Sequence, residues 1–236
     1  MRSRLILFFI CYVLCSPVTI GAQEVIEALP RWMISGHFNL GFPQPPANKF
    51  MTHAHPGYQI EAQYRLQYNK PFTGGAYFNE STVSKYVLRY TQSSGAGDID
   101  IKEKANTRRI EAGITAGIYP EINWLIQPYL QGRVGFAIYQ TSSILTDRDT
   151  QEEIDRIPEL TSAAPAYGLD LGFHIVPNIW YIRGDIRIGY VGNTSTTYMV
   201  LDDENKGTSG FPIDYFETRT SAGQWLKISA GVSYLF

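Results

Sequence analysis

Apolar side chains that return at every second position, stretch after stretch, limit what this chain can fold into more than any other feature. Trp32, Ile34, Gly36, Phe38, Leu40 and Phe42 alternate with Met33, Ser35, His37, Asn39 and Gly41. Tyr58, Ile60, Ala62, Tyr64, Leu66 and Tyr68 alternate with Gln59, Glu61, Gln63, Arg65 and Gln67. A period of two belongs to a strand whose successive side chains point to opposite faces. Beyond residue 22 no apolar run approaches the roughly 18 residues that suggest a membrane-spanning helix.

The same alternation predicts strands over residues 109–118, 130–139, 167–175, 182–190 and 226–236. Their apolar faces are about as long as the 9 to 11 residues that a tilted strand needs to cross a bilayer. Between residues 71 and 92, Phe72, Gly74, Ala76 and Phe78 share one parity, residues 79–81 interrupt it, and Tyr86, Leu88 and Tyr90 resume it. We expect one long strand there, leaving the membrane near Glu80 and pairing outside it with residues 100–107. The total is about eight strands, an even number as in bacterial single-chain barrels. Connections at 69–71, 120–124 and 177–178 are tight, whereas those at 43–56, 93–98, 141–165 and 192–223 are long. Short turns at one end and long loops at the other match periplasmic turns and extracellular loops.

Residues 1–22 read as a secretory signal peptide, with Arg2 and Arg4 as its basic start, an apolar run over 5–15 and the small residues Gly21 and Ala22 before Gln23. Eleven apolar residues broken by Ser16 and Pro17 fall short of the roughly 20 of a spanning helix. Both cysteines, Cys11 and Cys15, lie in this leader, so the expected mature domain, 23–236, offers no disulfide or thiolate metal site. Without Arg2 and Arg4 the chain has 18 basic and 22 acidic side chains, a net charge of −4 that gives no sign of a nucleic-acid partner.

Period two alone does not say whether the apolar face meets a core or lipid. A soluble carrier would bury it and a membrane barrel would turn it outward. The polar face carries glycines beside charges of both signs, as a narrow lumen requires. Trp32, Tyr58, Tyr68, Tyr167, Trp180, Tyr190 and Tyr234 fall near strand ends, where an interfacial girdle would lie. With the loop asymmetry and the closing aromatic Phe236, these features favour lipid. The expected fold is therefore an all-β, antiparallel up-and-down transmembrane barrel of about eight strands.

The final stretch Gly231-Val232-Ser233-Tyr234-Leu235-Phe236 carries a resemblance, together with residues 128–135 (PYLQGRVG) and 166–173 (AYGLDLGF). The chain resembles the small outer-membrane β-barrel domain proteins of the Bacteroidetes, relatives in architecture of the OmpA and OmpX barrels. The resemblance implies an outer-membrane location, and implies that Phe236 helps the barrel-assembly machinery recognise the last strand. It implies little about activity.

On the inward parity lie Glu61, Arg65, Arg89, Arg109, Glu111, Arg133, Asp170, His174, Arg183, Asp185, Arg187 and Lys227. They could line a selective ion path. In a barrel of about eight strands, however, the interior is just wide enough for side chains to fill it, so an internal salt-bridge ladder that plugs the bore is the favoured expectation. His53 and His55 make a weak metal signal and are expected at the surface. The acidic loop 144–160 could bridge to lipopolysaccharide through divalent cations, but a solvated loop explains it as well. His174 is expected beside Asp170, and no serine is placed to complete a nucleophile pair.

The chain is thus expected to be a non-enzymatic integral outer-membrane protein without a cofactor. It would be a structural or accessory subunit of a larger secretion, assembly or uptake complex. Its expected partners are outer-membrane lipid, lipopolysaccharide, the assembly machinery and other outer-membrane proteins. A narrow channel and a lipid-modifying enzyme are the alternatives.

Overall fold

The computed structural model describes residues 31–49, 51, 53–66, 70–94, 97–120, 125–150, 152–176, 181–201 and 212–236. The leader, Tyr68 and Trp180 lie outside these. Eight strands close into one barrel in chain order: β1 (Trp32–Pro43), β2 (His55–Arg65), β3 (Phe72–Ser94), β4 (Gly97–Ile118), β5 (Ile126–Asp147), β6 (Glu153–Ile175), β7 (Ile182–Leu201) and β8 (Phe216–Leu235). Every neighbouring pair is antiparallel, and β8 returns to β1. Phe236 completes that seam: its amide donates to the Trp32 carbonyl and its carbonyl accepts from the Trp32 amide, both at 3.0 Å.

The two faces sort as the alternation implies. Ile34, Phe38, Ile60, Ile114, Val134, Phe136, Leu169, Ile186, Ile228 and Val232 are all exposed, while Ser35, His37, Gln59, Glu61, Glu111, Arg133 and Lys227 are buried. This is a soluble protein turned inside out, and it satisfies the requirement that every backbone group in the membrane be paired within a closed ladder. On the outside the apolar belt ends where Tyr58 Oη donates to Glu80 at 2.5 Å and Glu80 meets Arg108 at 3.3 Å. That polar cluster stands at headgroup level on the long-loop side. Trp32, Tyr181, Tyr234 and Phe236 form an exposed aromatic group at the opposite end, with Tyr234 and Phe236 stacked at 6.0 Å.

Three of the expected long loops are largely ladder. β3 to β8 run 20 to 23 residues each, roughly twice what a bilayer crossing needs. Because β2 begins at His55 and the β6–β7 pairing stops at Ala166↔Asn193, the four strands β3 to β6 continue upward as a separate sheet. The β7–β8 hairpin folds against it. Thr107 Oγ1 on β4 donates across the barrel to the Met199 carbonyl of β7 at 2.8 Å, and Tyr86 of β3 packs edge-on against Tyr215 at 5.1 Å. Outside the membrane neither strand face meets lipid, so nothing enforces alternation, and these segments look like loops in sequence.

A β-bulge corrects the reading of β3. Thr82 pairs with Arg108 and Ser84 with Thr107, which leaves Val83 as an extra, buried residue and reverses the parity above it. Tyr86, Leu88 and Tyr90 therefore pair with the inward row Ala105, Glu103 and Ile101 rather than continuing a lipid-facing row. Arg89, expected in the lumen, is exposed.

The facing assignment predicts a large asymmetry between neighbours. Ile114 is 64% exposed and Thr115 is 5% exposed. Ile114→Arg should destabilise the folded barrel by about 2–4 kcal/mol, the range for a charge at the bilayer midplane. Urea titration in lipid vesicles reads this directly, and wild-type stability of the variant would refute the placement of Ile114 in lipid.

Candidate functional site

Among the described residues the lumen gathers most of the buried charged side chains, and it does so in three packed layers. In the middle layer, Arg187 of β7 donates to Glu61 of β2 at 2.9 Å and lies 3.5 Å from Asp185. Its second terminal nitrogen lies 2.8 Å from His37 Nδ1. Glu61 also accepts from Gln63 at 3.1 Å, from Gln131 at 3.4 Å and from Gln59. Asp185 is held by His37 at 2.9 Å and by the Tyr129 hydroxyl at 2.7 Å, and His174 Nε2 lies 3.4 Å from it. Arg133 of β5 pairs with Asp170 and donates to Gln59 at 3.0 Å, and Lys227 of β8 donates to the same Gln59 oxygen.

Toward the short turns, aromatic rings close the bore. Tyr119 and Tyr129 stack at 4.6 Å, and the His174 ring lies 4.7 Å from Tyr129. Met33 and Leu235 pack with the two tyrosines. Toward the long-loop side, Arg109 pairs with Glu111 at 2.6 Å and lies 4.6 Å over the Trp225 ring, while Tyr77 donates to Glu111 at 2.7 Å. Above them Tyr139 stacks on Tyr198 at 5.1 Å. Ala47 and Met51, from the β1–β2 connection, pack into this cluster with Ala137, Ala166, Val200 and Trp225.

Glycines create the room for these long side chains. A Cβ at Gly189 would collide with the Asp170 carboxylate, one at Gly231 with the His37 ring, and one at Gly172 with the Tyr129 ring; at Gly168 it would sit 3.0 Å from Arg133. Local sequence thus couples a small residue on one strand to a large charged or aromatic one on its neighbour.

Of the residues expected in the lumen, Glu61, Arg109, Glu111, Arg133, Asp170, His174, Asp185, Arg187 and Lys227 are buried there. Arg65 and Arg183 are half-buried at the short-turn mouth, where they line a cavity of about 20 Å³ with Tyr119 and His174. Arg183 donates there to Gln127 at 3.2 Å. His174 meets Asp185 rather than Asp170. His53 is exposed as expected, but His55 is 3% exposed at the upper mouth.

Sequence reasoning passed over His37, Gln59, Gln63, Gln131, Tyr77, Tyr119 and Tyr129. Parity alone would have placed His37 and the three glutamines inward. Tyr119, one residue beyond β4, continues the same inward parity, its amide donating to the Pro71 carbonyl at 2.7 Å.

Outside the membrane the acidic segment forms the tip of the β5–β6 hairpin. Glu153 binds Arg156 at 2.8 Å and Asp100 binds Arg148 at 3.0 Å. The Asp149 amide donates to Asp147 and holds that carboxyl below its ordinary range. Among the described residues no group of three or more histidine, cysteine or carboxylate side chains could hold a metal ion.

No family model and no curated protein matches the sequence. Among solved structures the chain is similar to Neisserial surface protein A, at 10% identity over 87% of this chain and 97% of that one, with a TM-score of 0.48. It is similar to the outer membrane protein OprG from Pseudomonas aeruginosa, at 13% identity over 89% and 97%, with a TM-score of 0.47. It is also similar to a major outer membrane protein from Thermus thermophilus, at 15% identity over 87% and 99%, with a TM-score of 0.43. The closed ladder, the charged interior and the apolar belt stand independently of these likenesses, and together they make the protein an eight-stranded transmembrane β-barrel of the bacterial outer membrane.

Proposed function

We propose that the protein is a non-catalytic, non-conducting barrel that acts as a structural or accessory subunit of a larger outer-membrane secretion, assembly or uptake complex. Its architecture would be of the OmpA and OmpX type found among the small Bacteroidetes barrels. The observation that carries this reading is the way the bore is used: Arg187–Glu61 crosses it, Arg109–Glu111 along β4 and Arg133–Asp170 between β5 and β6 fill it, and stacked tyrosines lie at both of its ends. Most of the described residues outside the membrane lie in ladder, a surface suited to contact with another protein or with lipopolysaccharide.

Purified protein in a planar bilayer should give no discrete conductance steps. Steady single-channel currents would replace this reading with that of a narrow channel. Mild-detergent extraction of native membranes should bring down a stoichiometric outer-membrane partner; a barrel recovered alone, with altered lipid A in its presence, would favour a lipid-modifying enzyme. Phe236, whose backbone closes the β1–β8 seam, would serve the assembly machinery, and its replacement by alanine tests that role through the yield of inserted barrel.

A further inference from the structure

Above the Glu80–Arg108 cluster, the outward face of the sheet formed by β3 to β6 gathers positive charge. Because Val83 shifts the parity of β3, Lys85, Val87 and Arg89 join the outward row, where they pair with Asn106, Lys104 and Lys102 of β4. On its other side Lys104 pairs with Ile144 of β5, and Ile144 pairs in turn with Arg156 of β6. Lys85, Arg89 and Arg156 are exposed, and Lys102, Lys104 and Arg108 are half-buried.

The carboxylates on this face are already engaged. Glu80 binds Arg108 at 3.3 Å, Asp100 binds Arg148 at 3.0 Å and Glu153 binds Arg156 at 2.8 Å. Among the described residues no carboxylate comes within ion-pair distance of Lys85, Arg89, Lys102 or Lys104, Asp155 and Glu159 of β6 included. Lys102 stands directly opposite Arg89, a placement of like charges that destabilises a strand pair. Burial, and then the charges of Lys85, Arg108, Lys102 and Arg156, hold the Lys104 ammonium below the ordinary lysine range. The chain as a whole has a formal charge of −2, so composition does not account for a patch of this sign.

We infer that this face is a docking surface for the phosphate-bearing part of lipopolysaccharide, with Lys85, Arg89, Lys102 and Lys104 as its cationic contacts. The inference rests on the reading of the extracellular ladder as a contact surface and names the partner for one face of it. Position selects that partner. The outward row of β4 runs from lipid-facing Ile110 through Arg108 to Lys104 and Lys102. At about 3.4 Å per residue the two lysines lie roughly 14 and 20 Å along the strand beyond Arg108, and less than that in height because barrel strands tilt by about 35–45°. Over this span the acyl chains of the outer leaflet give way to phosphates and charged sugars, so the neighbour of an outward side chain is the anionic glycolipid itself. Ammonium and guanidinium groups give phosphate oxygens charge-assisted hydrogen bonds, and here they stand where divalent cations otherwise bridge one lipopolysaccharide molecule to the next.

The test uses the full-length barrel in detergent, with purified rough-type lipopolysaccharide, lipid A plus inner core, as the probe. Wild-type protein should hold it in excess EDTA and release it progressively as salt rises. Neutralising the four contacts together (Lys85→Gln, Arg89→Gln, Lys102→Gln and Lys104→Gln) should weaken the affinity by about tenfold or more. The same glycolipid stripped of phosphate should bind wild type and variant with one weak affinity. Equal affinity of wild type and folded variant for the native glycolipid overturns the site. So does binding that EDTA abolishes, which assigns the contact to divalent cations, and so does patch-dependent binding of dextran sulfate without binding of lipopolysaccharide, which makes the ligand a soluble polyanion. Should the variant fail to fold, native against dephosphorylated lipopolysaccharide on the wild-type barrel decides, and equal affinities overturn the proposal. A barrel that conducts, or one extracted without a protein partner, would overturn the accessory-subunit reading and leave this affinity difference standing.

Discussion

Replacing Arg187 with methionine should lower the unfolding free energy of the barrel by about 3–5 kcal/mol, the cost of removing one partner from a buried ion pair. Arg187 reaches Glu61 at 2.9 Å and Asp185 at 3.5 Å from a position 2% exposed, and it stands against His37 as well. Methionine fills much of the volume but leaves Glu61 with amide donors alone. The penalty then comes from the stranded carboxylate, and so it should be non-additive: Glu61→Gln added to Arg187→Met should recover part of the loss. Urea midpoints for the two single variants and the double variant, measured in the same vesicles, close the cycle. A loss below about 1 kcal/mol for Arg187→Met, or strict additivity in the cycle, would show that the pair is hydrated rather than a packed part of the plug.

The register explains why such a network accompanies this fold. In a barrel with a two-residue side-chain period, a slip by one position moves every inward group into lipid. Glu61, Arg133, Asp170 and Arg187 sit on four different strands and meet in one layer. A slip of any one strand would therefore place a charge among acyl chains and strand its partner in the lumen. The ladder of charges thus acts on specificity of pairing as well as on stability.

Legibility in the sequence follows the membrane boundary. Within the bilayer each residue must choose between lipid and lumen, so Ile34 and Ser35, or Ile114 and Thr115, declare their faces through polarity alone. Above the Glu80–Arg108 cluster both faces meet protein or water, and residues such as Thr141, Ser142, Ser143 and Ile144 carry no alternation although they lie in continuous ladder with β4 and β6. The bulge at Val83 was hidden for the same reason: the interruption at 79–81 was visible, but nothing beyond it distinguished a continued parity from a reversed one. At the site, inward position was readable for Glu111 and Arg109, whereas partner choice was not. Which carboxylate His174 meets depends on the β6–β7 register, which sets Asp185 directly opposite it.

Two glycines in facing strands should give opposite results when each is replaced by valine. Gly113 and Gly135 pair across β4 and β5 with both α-carbons toward the lumen. A Cβ on Gly113 would fall inside contact distance of the Val134 carbonyl oxygen and 2.6 Å from the Gly135 Cα. Those are backbone atoms, which cannot swing aside as a flexible side-chain tip can, so relief requires the strands to separate. They cannot do so locally, because Tyr77, paired with Gly113 on the other side, holds Glu111, and Arg133 lies 5.5 Å over the Tyr77 ring. Gly113→Val should therefore cost more than about 4 kcal/mol, a magnitude reserved for severe steric or charge errors, and should leave little of the compact form that migrates ahead of boiled protein on a gel. Gly132 points the other way, into lipid, where the nearest atom to an added Cβ is the Ala116 carbonyl oxygen at 3.9 Å. Gly132→Val adds apolar surface where hydrocarbon already lies and should fold with wild-type yield. If Gly113→Val folds as well as Gly132→Val, the tight approach of β4 to β5, and with it the packed lumen, is wrong.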